Sequence, residues 1–420
     1  MKNKLESIDV SKTYHKSDYE AEHSCVNDCL LLYSGGLDTS CILCWLQKKY
    51  KCNVTTLTVN VGQRWDDLKE IEKKAYTLGA KKHYTIDAEE ELINDYCSKA
   101  IKANATIDNG HPISSSLTRP LIAKIAVQIM KKDKITIFAH GASGKSNDSL
   151  RFDNSILTLL PKAKIIAPVR TWSFDRNDEL AYAKQNNIAV KATKKNPYSV
   201  DDNIWAIEIE SGILDDIAEK TPDNIYKLSN PNKTTQTAEY IEIEFKKGIP
   251  IALNKKKQTL KEIVEQLNKI GSKYCIGLYD CLEERGVGCK VRELHEAPAA
   301  SILIMAHKEL EQLVLTKNIL RVKKQIDSEW LDAALNGFWF SRQFDTLNAY
   351  IDEANQYVSG TIKIRLTKEK ISIISRSSEF ALDYANLMNN NYNINQQLTS
   401  SFIQVNGLEE RAAYNMLNKQ

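Results

Sequence analysis

The sequence predicts an α/β fold, with a doubly wound parallel sheet in its first half joined to an α+β unit in its second. Two observations carry this. Short apolar runs alternate with helical stretches as far as about residue 185. Beyond about residue 200 the pattern turns to paired β-rich runs around tight turns, with amphipathic helices between them.

The elements follow in order. Cys29–Tyr33 is an apolar run ending in Ser-Gly-Gly and reads as a buried strand entering a tight loop, with a helix from Thr39 to about Lys49. Val54–Val61, rich in β-branched residues, is the second strand. Asp66–Leu78 is a polar-faced helix closed by Gly79. Lys82–Ile86 is the third strand, Arg119–Lys132 a helix with Pro120 near its start, and Ile135–Phe138 the fourth strand. In the second half, Tyr240–Phe245 and Ile249–Leu253 form a hairpin around Lys246-Lys247-Gly248. Leu260–Ile270 is a helix stopped by Gly271, and Gly360–Leu366 pairs with Ile371–Ser375. An Asn-rich stretch from Leu387 leads to a final helix, Leu408–Leu417. The expected boundaries are an N-terminal extension over 1–24, a first domain over 25–190, a second over 191–384 and a tail over 385–420.

Composition removes several function classes. Hydrophobic residues make up 42% and charged residues 26%, the balance of a soluble globular chain. Lys and Arg number 57 against 54 Asp and Glu, so the net charge of +3 gives no footprint for nucleic acid or an anionic membrane. No apolar run is long enough to span a bilayer, and the first 24 residues do not read as a secretory signal. The nine cysteines, odd in number and scattered, point to reduced thiols in a cytoplasm. Cys41 and Cys44 read as packing residues of a helix. Cys275, Cys281 and Cys289 are too irregularly spaced for a zinc ribbon, and no metal ligand set is assigned.

The strongest local signal is Ser34-Gly35-Gly36-Leu37-Asp38-Thr39-Ser40. It follows a strand and opens a helix, so backbone N–H groups and the helix N-terminus face an anion. The two glycines let the backbone approach phosphate oxygens, and the hydroxyls of Ser34, Thr39 and Ser40 add donors. Asp38 would repel phosphate alone, so its role involves a cation, most simply Mg2+, or loop geometry. The plainer alternative is a Gly-rich turn with a hydroxyl cap. Gly144-Lys145-Ser146 imitates the end of a kinase-type phosphate loop, but the glycine that motif needs five residues before Gly144 is Ala139.

The Ser34–Ser40 heptapeptide resembles the pyrophosphate loop of the N-type ATP pyrophosphatases, which cleave ATP between its α and β phosphates. Further segments narrow the resemblance. Ala139-His140-Gly141-Ala142-Ser143-Gly144-Lys145-Ser146-Asn147-Asp148-Ser149-Leu150-Arg151-Phe152 is similar to the AHGxTGKGNDxxRFE segment of argininosuccinate synthases. Asn60–Gln63, Ser116–Ala123, Asn196–Trp205, Glu296–Ala299, Asn336–Phe340 and Ser401–Asn406 resemble other motifs of that family, in the same order. The resemblance runs from about residue 29 to 417.

The resemblance implies a ligase that joins citrulline to aspartate. The ureido oxygen attacks the α-phosphorus of ATP, giving citrullyl-AMP and pyrophosphate, and the aspartate amine then displaces AMP. It also implies Mg2+ and a homotetramer packed through the C-terminal tail, in a cytoplasm. Tyr33, Ser34, Gly35, Gly36, Leu37, Asp38, Thr39 and Ser40 match the nucleotide loop, with Val59 beside adenine and Gly141 as a further contact. Asn147, Asp148 and Ser143 match aspartate-holding positions. Arg151, Ser116, Ser199 and Glu283 match citrulline contacts, and Asp38, Asn147, Asp148 and Arg151 are the candidate catalytic set.

The pattern breaks at the substrate. His111 and His295 stand where the family has tyrosines, Glu208 where it has a serine, Ser143 for a threonine and Ser146 for a glycine. A carboxylate at 208 adds negative charge near a zwitterion and a polyanion, which protonation of the two histidines would offset. The alternative implied is a divergent relative adenylating another ureido or guanidino acceptor.

Overall fold

The computed structural model describes residues 17–22, 26–64, 67–107, 110–171, 176–189, 198–233, 237–389, 395 and 397–418. Strands β1 (Asp28–Leu32), β2 (Asn53–Asn60), β3 (Lys82–Asp87), β4 (Ile137–Ala139) and β5 (Lys164–Ile166) form a parallel sheet in the order β3-β2-β1-β4-β5. Cys29, Leu30 and Leu31 are all fully buried, without the alternation of a half-exposed strand. Leu31 packs with Ile42, Leu43 and Leu46 of the helix Leu37–Tyr50. Leu30 faces the other way, into a cluster with Leu117 and Leu121 of the helix Ser115–Asp133. Helices thus cover both faces, and each fully buried leucine contributes about 1.5–3 kcal/mol.

Sheet order reverses between β1, which continues toward β2, and β4, which continues toward β5. Such a reversal opens a crevice at the carboxyl ends of the strands. The loops after β1 and β4 flank it, and the loop after β2 lies on the same edge.

The other strands in chain order are β6 (Ser199–Asp202), β7 (Ile207–Glu210), β8 (Glu239–Lys246), β9 (Ile249–Leu253), β10 (Lys256–Lys257), β11 (Leu278–Glu284), β12 (Lys290–Glu296), β13 (Gly360–Thr367) and β14 (Lys370–Ser377). They build two antiparallel sheets, β10-β9-β8-β13-β14 and β11-β12-β7-β6. Both expected hairpins are present. Lys247 and Gly248 have φ of 51° and 77°, the backbone a two-residue hairpin turn needs.

Three expectations move. The helix read from Arg119 begins at Ser115, so Pro120 lies inside it rather than near its start. With no N–H, Pro120 leaves the carbonyl of Ser116 without its helical donor. Gly271 does not stop its helix, which runs from Leu260 to Lys273. A Cβ on Gly271 would lie 2.8 Å from Cβ of Pro298, so this glycine permits close contact with the helix Pro298–Val314. The sheet β11-β12-β7-β6 was not foreseen as a unit.

At the end of the chain the helices Leu398–Asn406 and Leu408–Leu417 are exposed, with Phe402, Val405 and Leu417 in solvent. Among the described residues no helix is long and apolar enough to cross a membrane.

Candidate active site

The loop after β1 is shaped by its glycines. Gly35 has φ +74°, and a Cβ there would lie 2.8 Å from Cγ1 of Ile71. The Lys74 ammonium donates to the Gly35 carbonyl at 2.7 Å, fixing the loop from below. Gly36 caps the helix Leu37–Tyr50 without any side-chain hydrogen bond to its first N–H groups. The hydroxyls instead pair with one another, Ser34 with Thr39 at 3.1 Å and Tyr33 with Ser40 at 3.2 Å. The helix end is therefore a cradle of backbone donors with a positive dipole, suited to phosphate. Asp38 stands in its first turn, a carboxylate of the oxygen type that magnesium takes as a ligand. Gly141 brings the loop after β4 alongside, where a Cβ would lie 3.7 Å from Cγ2 of Thr39. Val59 is buried near the end of β2.

Beyond β4, the helix Asn147–Leu159 carries the next layer. Its cap is Ser146, whose hydroxyl accepts from the Asp148 N–H at 3.2 Å, a use for the hydroxyl that a glycine would not supply. Arg151 is buried. It donates to Ser115 Oγ at 2.8 Å, to Asp148 at 3.2 Å and to the Leu335 carbonyl at 3.0 Å. Its remaining nitrogen, Nη2, makes no hydrogen bond among the described residues and lies 3.8 Å from the Glu283 carboxylate. Gly337 makes this placement possible, since at φ +76° a Cβ would lie 2.7 Å from Cα of Arg151. Arg119 ion-pairs with Asp148 at 2.7 Å and also with Asp201. Burial favours protonation of Asp148, but Arg119 and Arg151 overcome it and hold the carboxyl at about 2. Burial wins at Asp201, which rises to about 6. Asn147 reaches the β11–β12 turn, donating to the Glu284 carbonyl at 3.1 Å and accepting from the Gly286 N–H at 2.8 Å.

Three of the five departures, Glu208, His295 and His111, lie together. Glu208, on β7, accepts from the Ser115 N–H at 3.0 Å, so its carboxylate sits on the N-terminus of the helix Ser115–Asp133. It lies 3.9 Å from Nδ1 of His295, whose ring is 4.7 Å from that of His111. The histidines do not behave alike. Burial lowers His111 to about 4, aided by the neighbouring His295, so it is neutral. At His295 burial is outweighed by Cys281, Glu293 and Glu208, and its pKa is raised. The expectation that both histidines carry charge is thus corrected to one. Glu283 is pushed up to about 8 by burial and by Glu293 and Glu208, against Arg151 and Arg285.

Ser115 ties the groups together by bonding both Arg151 and Glu208. Ser116 is buried, Ser143 half-buried, and Ser199 exposed opposite Glu210 on β6. Sequence reading missed Arg119, Asp201, Ser115, Cys281, Arg285 and Glu293. Arg285 pairs with Glu283 at 2.9 Å, Glu210 at 2.7 Å and Glu293. Glu208-Ile209-Glu210 was the available signal, since that period puts both carboxylates on one face of the strand, with Asp201 paired opposite Glu208.

The family comparisons match this layout. Residues 28–189 match the Arginosuccinate synthase N-terminal HUP domain, and residues 198–413 the Arginosuccinate synthase C-terminal domain. Argininosuccinate synthase from Pyrococcus furiosus is 42% identical over 392 residues, covering 93% of this chain and 95% of that one. The enzyme from Dictyoglomus turgidum is 44% identical over 356 residues, 84% of this chain and 88% of that one. The chain belongs to the argininosuccinate synthase family. As a member it is a ligase forming a C–N bond with use of ATP. Among solved structures, a predicted subunit of tRNA methyltransferase from Methanocaldococcus jannaschii has a TM-score of 0.28 at 21% identity, over 38% of this chain and 76% of that one. That likeness is too slight to bear on function.

Proposed function

We propose that this protein condenses citrulline with aspartate, consuming ATP and releasing AMP and pyrophosphate. The observation that carries the reading is the buried Arg151, whose Nη2 makes no hydrogen bond among the described residues and lies 3.8 Å from Glu283. An unmatched buried guanidinium nitrogen is a charge-assisted donor awaiting an acceptor, and a substrate carboxylate supplies one. Ser199 and Glu283 are the acceptors for the substrate ammonium, whose charge favours the ionised form of the Glu283 carboxyl.

In this scheme the N–H groups at Gly36–Thr39 hold the pyrophosphate that leaves as the ureido oxygen bonds the α-phosphorus. A magnesium ion at Asp38 neutralises phosphate charge when bound. Asn147 and Asp148 orient aspartate so that its amine attacks the activated carbon and AMP departs. Catalysis is then positioning plus stabilisation of the leaving group's charge. His111 and Glu208 shape the citrulline end, and Glu208 is accommodated by the helix N-terminus it occupies rather than by two charged histidines.

We also assign the protein to the cytoplasm and to a homotetramer. The exposed apolar residues of the terminal helices, Phe402 and Val405 among them, are the contact surface between copies. Light scattering of the intact protein and of a chain ending near residue 384 tests this, with a smaller assembly expected for the shorter chain.

The test of function mixes purified protein with Mg-ATP, citrulline and aspartate, and omits each amino acid in turn. Argininosuccinate, AMP and pyrophosphate in equal amounts, dependent on both amino acids, are expected. Absence of argininosuccinate with citrulline, and product only with another ureido or guanidino acid, would overturn the reading.

A further inference from the structure

The departures at His111 and His295 have a third neighbour, Cys281. His111 comes from the segment that precedes the helix Ser115–Asp133, Cys281 from β11 and His295 from β12. All three are buried, at 2%, 4% and 3% exposure. One ligand atom from each lies within 4.8 Å of the others, and Cys281 Sγ is 4.0 Å from His111 Nε2. Nδ1 of His111 and both ring nitrogens of His295 make no hydrogen bond among the described residues. Nε2 of His295 stands 3.3 Å from Glu293 Oε2, an ion-pair distance without hydrogen-bond geometry. Buried imidazole nitrogens are rarely left unmatched, because a buried polar group without a partner is costly.

We propose that His111, Cys281 and His295 bind a borderline-soft divalent cation of the zinc type, with a carboxylate from Glu208 or Glu293 as the fourth ligand. A thiolate with two imidazoles and one carboxylate is a donor set suited to zinc in tetrahedral geometry. Ligand atoms in such a site are roughly 3.3–3.6 Å apart, given bonds of about 2.0–2.3 Å, so the cluster closes by about 1 Å. On binding, the Cys281 thiol and the His295 imidazolium each release a proton to solvent, and the cation takes their place as the partner of the orphan nitrogens. It also ties the segment before the helix Ser115–Asp133 to the β11–β12 hairpin, fixing one wall of the amino-acid pocket. The proposal stands apart from the proposed reaction, since its readouts need no turnover.

The test starts from full-length protein stripped by a chelator. Titration with Co2+ is expected to give one ion per chain, with the intense sulfur-to-cobalt absorption of a thiolate ligand and the visible bands of tetrahedral cobalt, both abolished by added Zn2+. Cys281→Ser removes the sulfur band, and His295→Tyr weakens binding at least tenfold. The exposed Cys289, changed to Ser, leaves both signals intact. Circular dichroism establishes that the variants fold. X-ray absorption of the zinc-loaded wild-type protein needs no variant and is expected to show one sulfur with nitrogen and oxygen neighbours. No stoichiometric binding, or a zinc shell without sulfur, overturns the proposal, as does a cobalt spectrum unchanged in folded Cys281→Ser protein.

Discussion

The Glu208 carboxylate accepts a hydrogen bond from the Ser115 N–H at 3.0 Å, placing a negative charge on the first turn of the helix Ser115–Asp133. A residue that looked like an intruder in a zwitterion pocket is therefore also a helix-end acceptor, favoured by the helix dipole. Glu208→Ala leaves that buried N–H unmatched and is expected to lower stability by about 1–2 kcal/mol. Denaturant unfolding of the two proteins checks it, and equal midpoints would mean the contact contributes nothing.

Arg151 holds three acceptors and keeps one nitrogen open. Arg151→Lys retains charge but not the planar fork, so it loses geometry at Ser115 and Leu335 together. The expected result is a fall in kcat/KM for citrulline on the order of 100-fold or more, with the KM for ATP little changed. Steady-state kinetics with each substrate varied in turn separates this from a general loss of folded enzyme.

Gly337 is required by contact rather than by catalysis. Alanine there must keep a left-handed backbone while its Cβ meets the Arg151 backbone at 2.7 Å. Gly337→Ala is expected to cost about 2–4 kcal/mol in unfolding experiments, beyond the 1–2 kcal/mol of the backbone term alone.

His307 supplies a pH dependence away from the pocket. Burial lowers it to about 3, assisted by Lys323, Lys102 and Lys308, while Asn355 opposes the shift. Its Nδ1 and Nε2 face the amide oxygens of Asn104 and Asn355 at 2.8 and 2.7 Å, so the neutral ring donates to one of them, with Glu311 3.8 Å away. The folded state therefore resists protonation more than the unfolded chain, whose histidine titrates near about 6.5. Between those values the unfolded chain binds more protons, so stability falls as pH drops from about 6.5 toward 3. His307→Gln is expected to flatten that slope in melting temperatures measured across the range.

The parallel sheet was legible because its strands are unbroken apolar runs, as Cys29–Leu31 shows, and because glycines punctuate the turns. The glycine loop between β1 and the helix Leu37–Tyr50 was legible for the same reason, being local in the chain. Two kinds of feature were not. The sheet β11-β12-β7-β6 buries charges, and the burial of Glu293 and Arg285 is not evident until their pairing across strands is seen. The Ser115 start of its helix was hidden by Pro120, which more often opens a helix than sits a turn and a half inside one. The role of Gly271 was equally hidden, because its partner Pro298 is remote in sequence.

The ureido oxygen is central to the proposed reaction, because it bonds phosphorus in the first step and leaves with AMP in the second. Supplying citrulline labelled with oxygen-18 at the ureido position, with Mg-ATP and aspartate, follows that atom by mass spectrometry. One labelled oxygen in the phosphate of each AMP formed is the expected result. Unlabelled AMP, with the label released as water or retained in the amino-acid product, would contradict adenylation of citrulline by this protein.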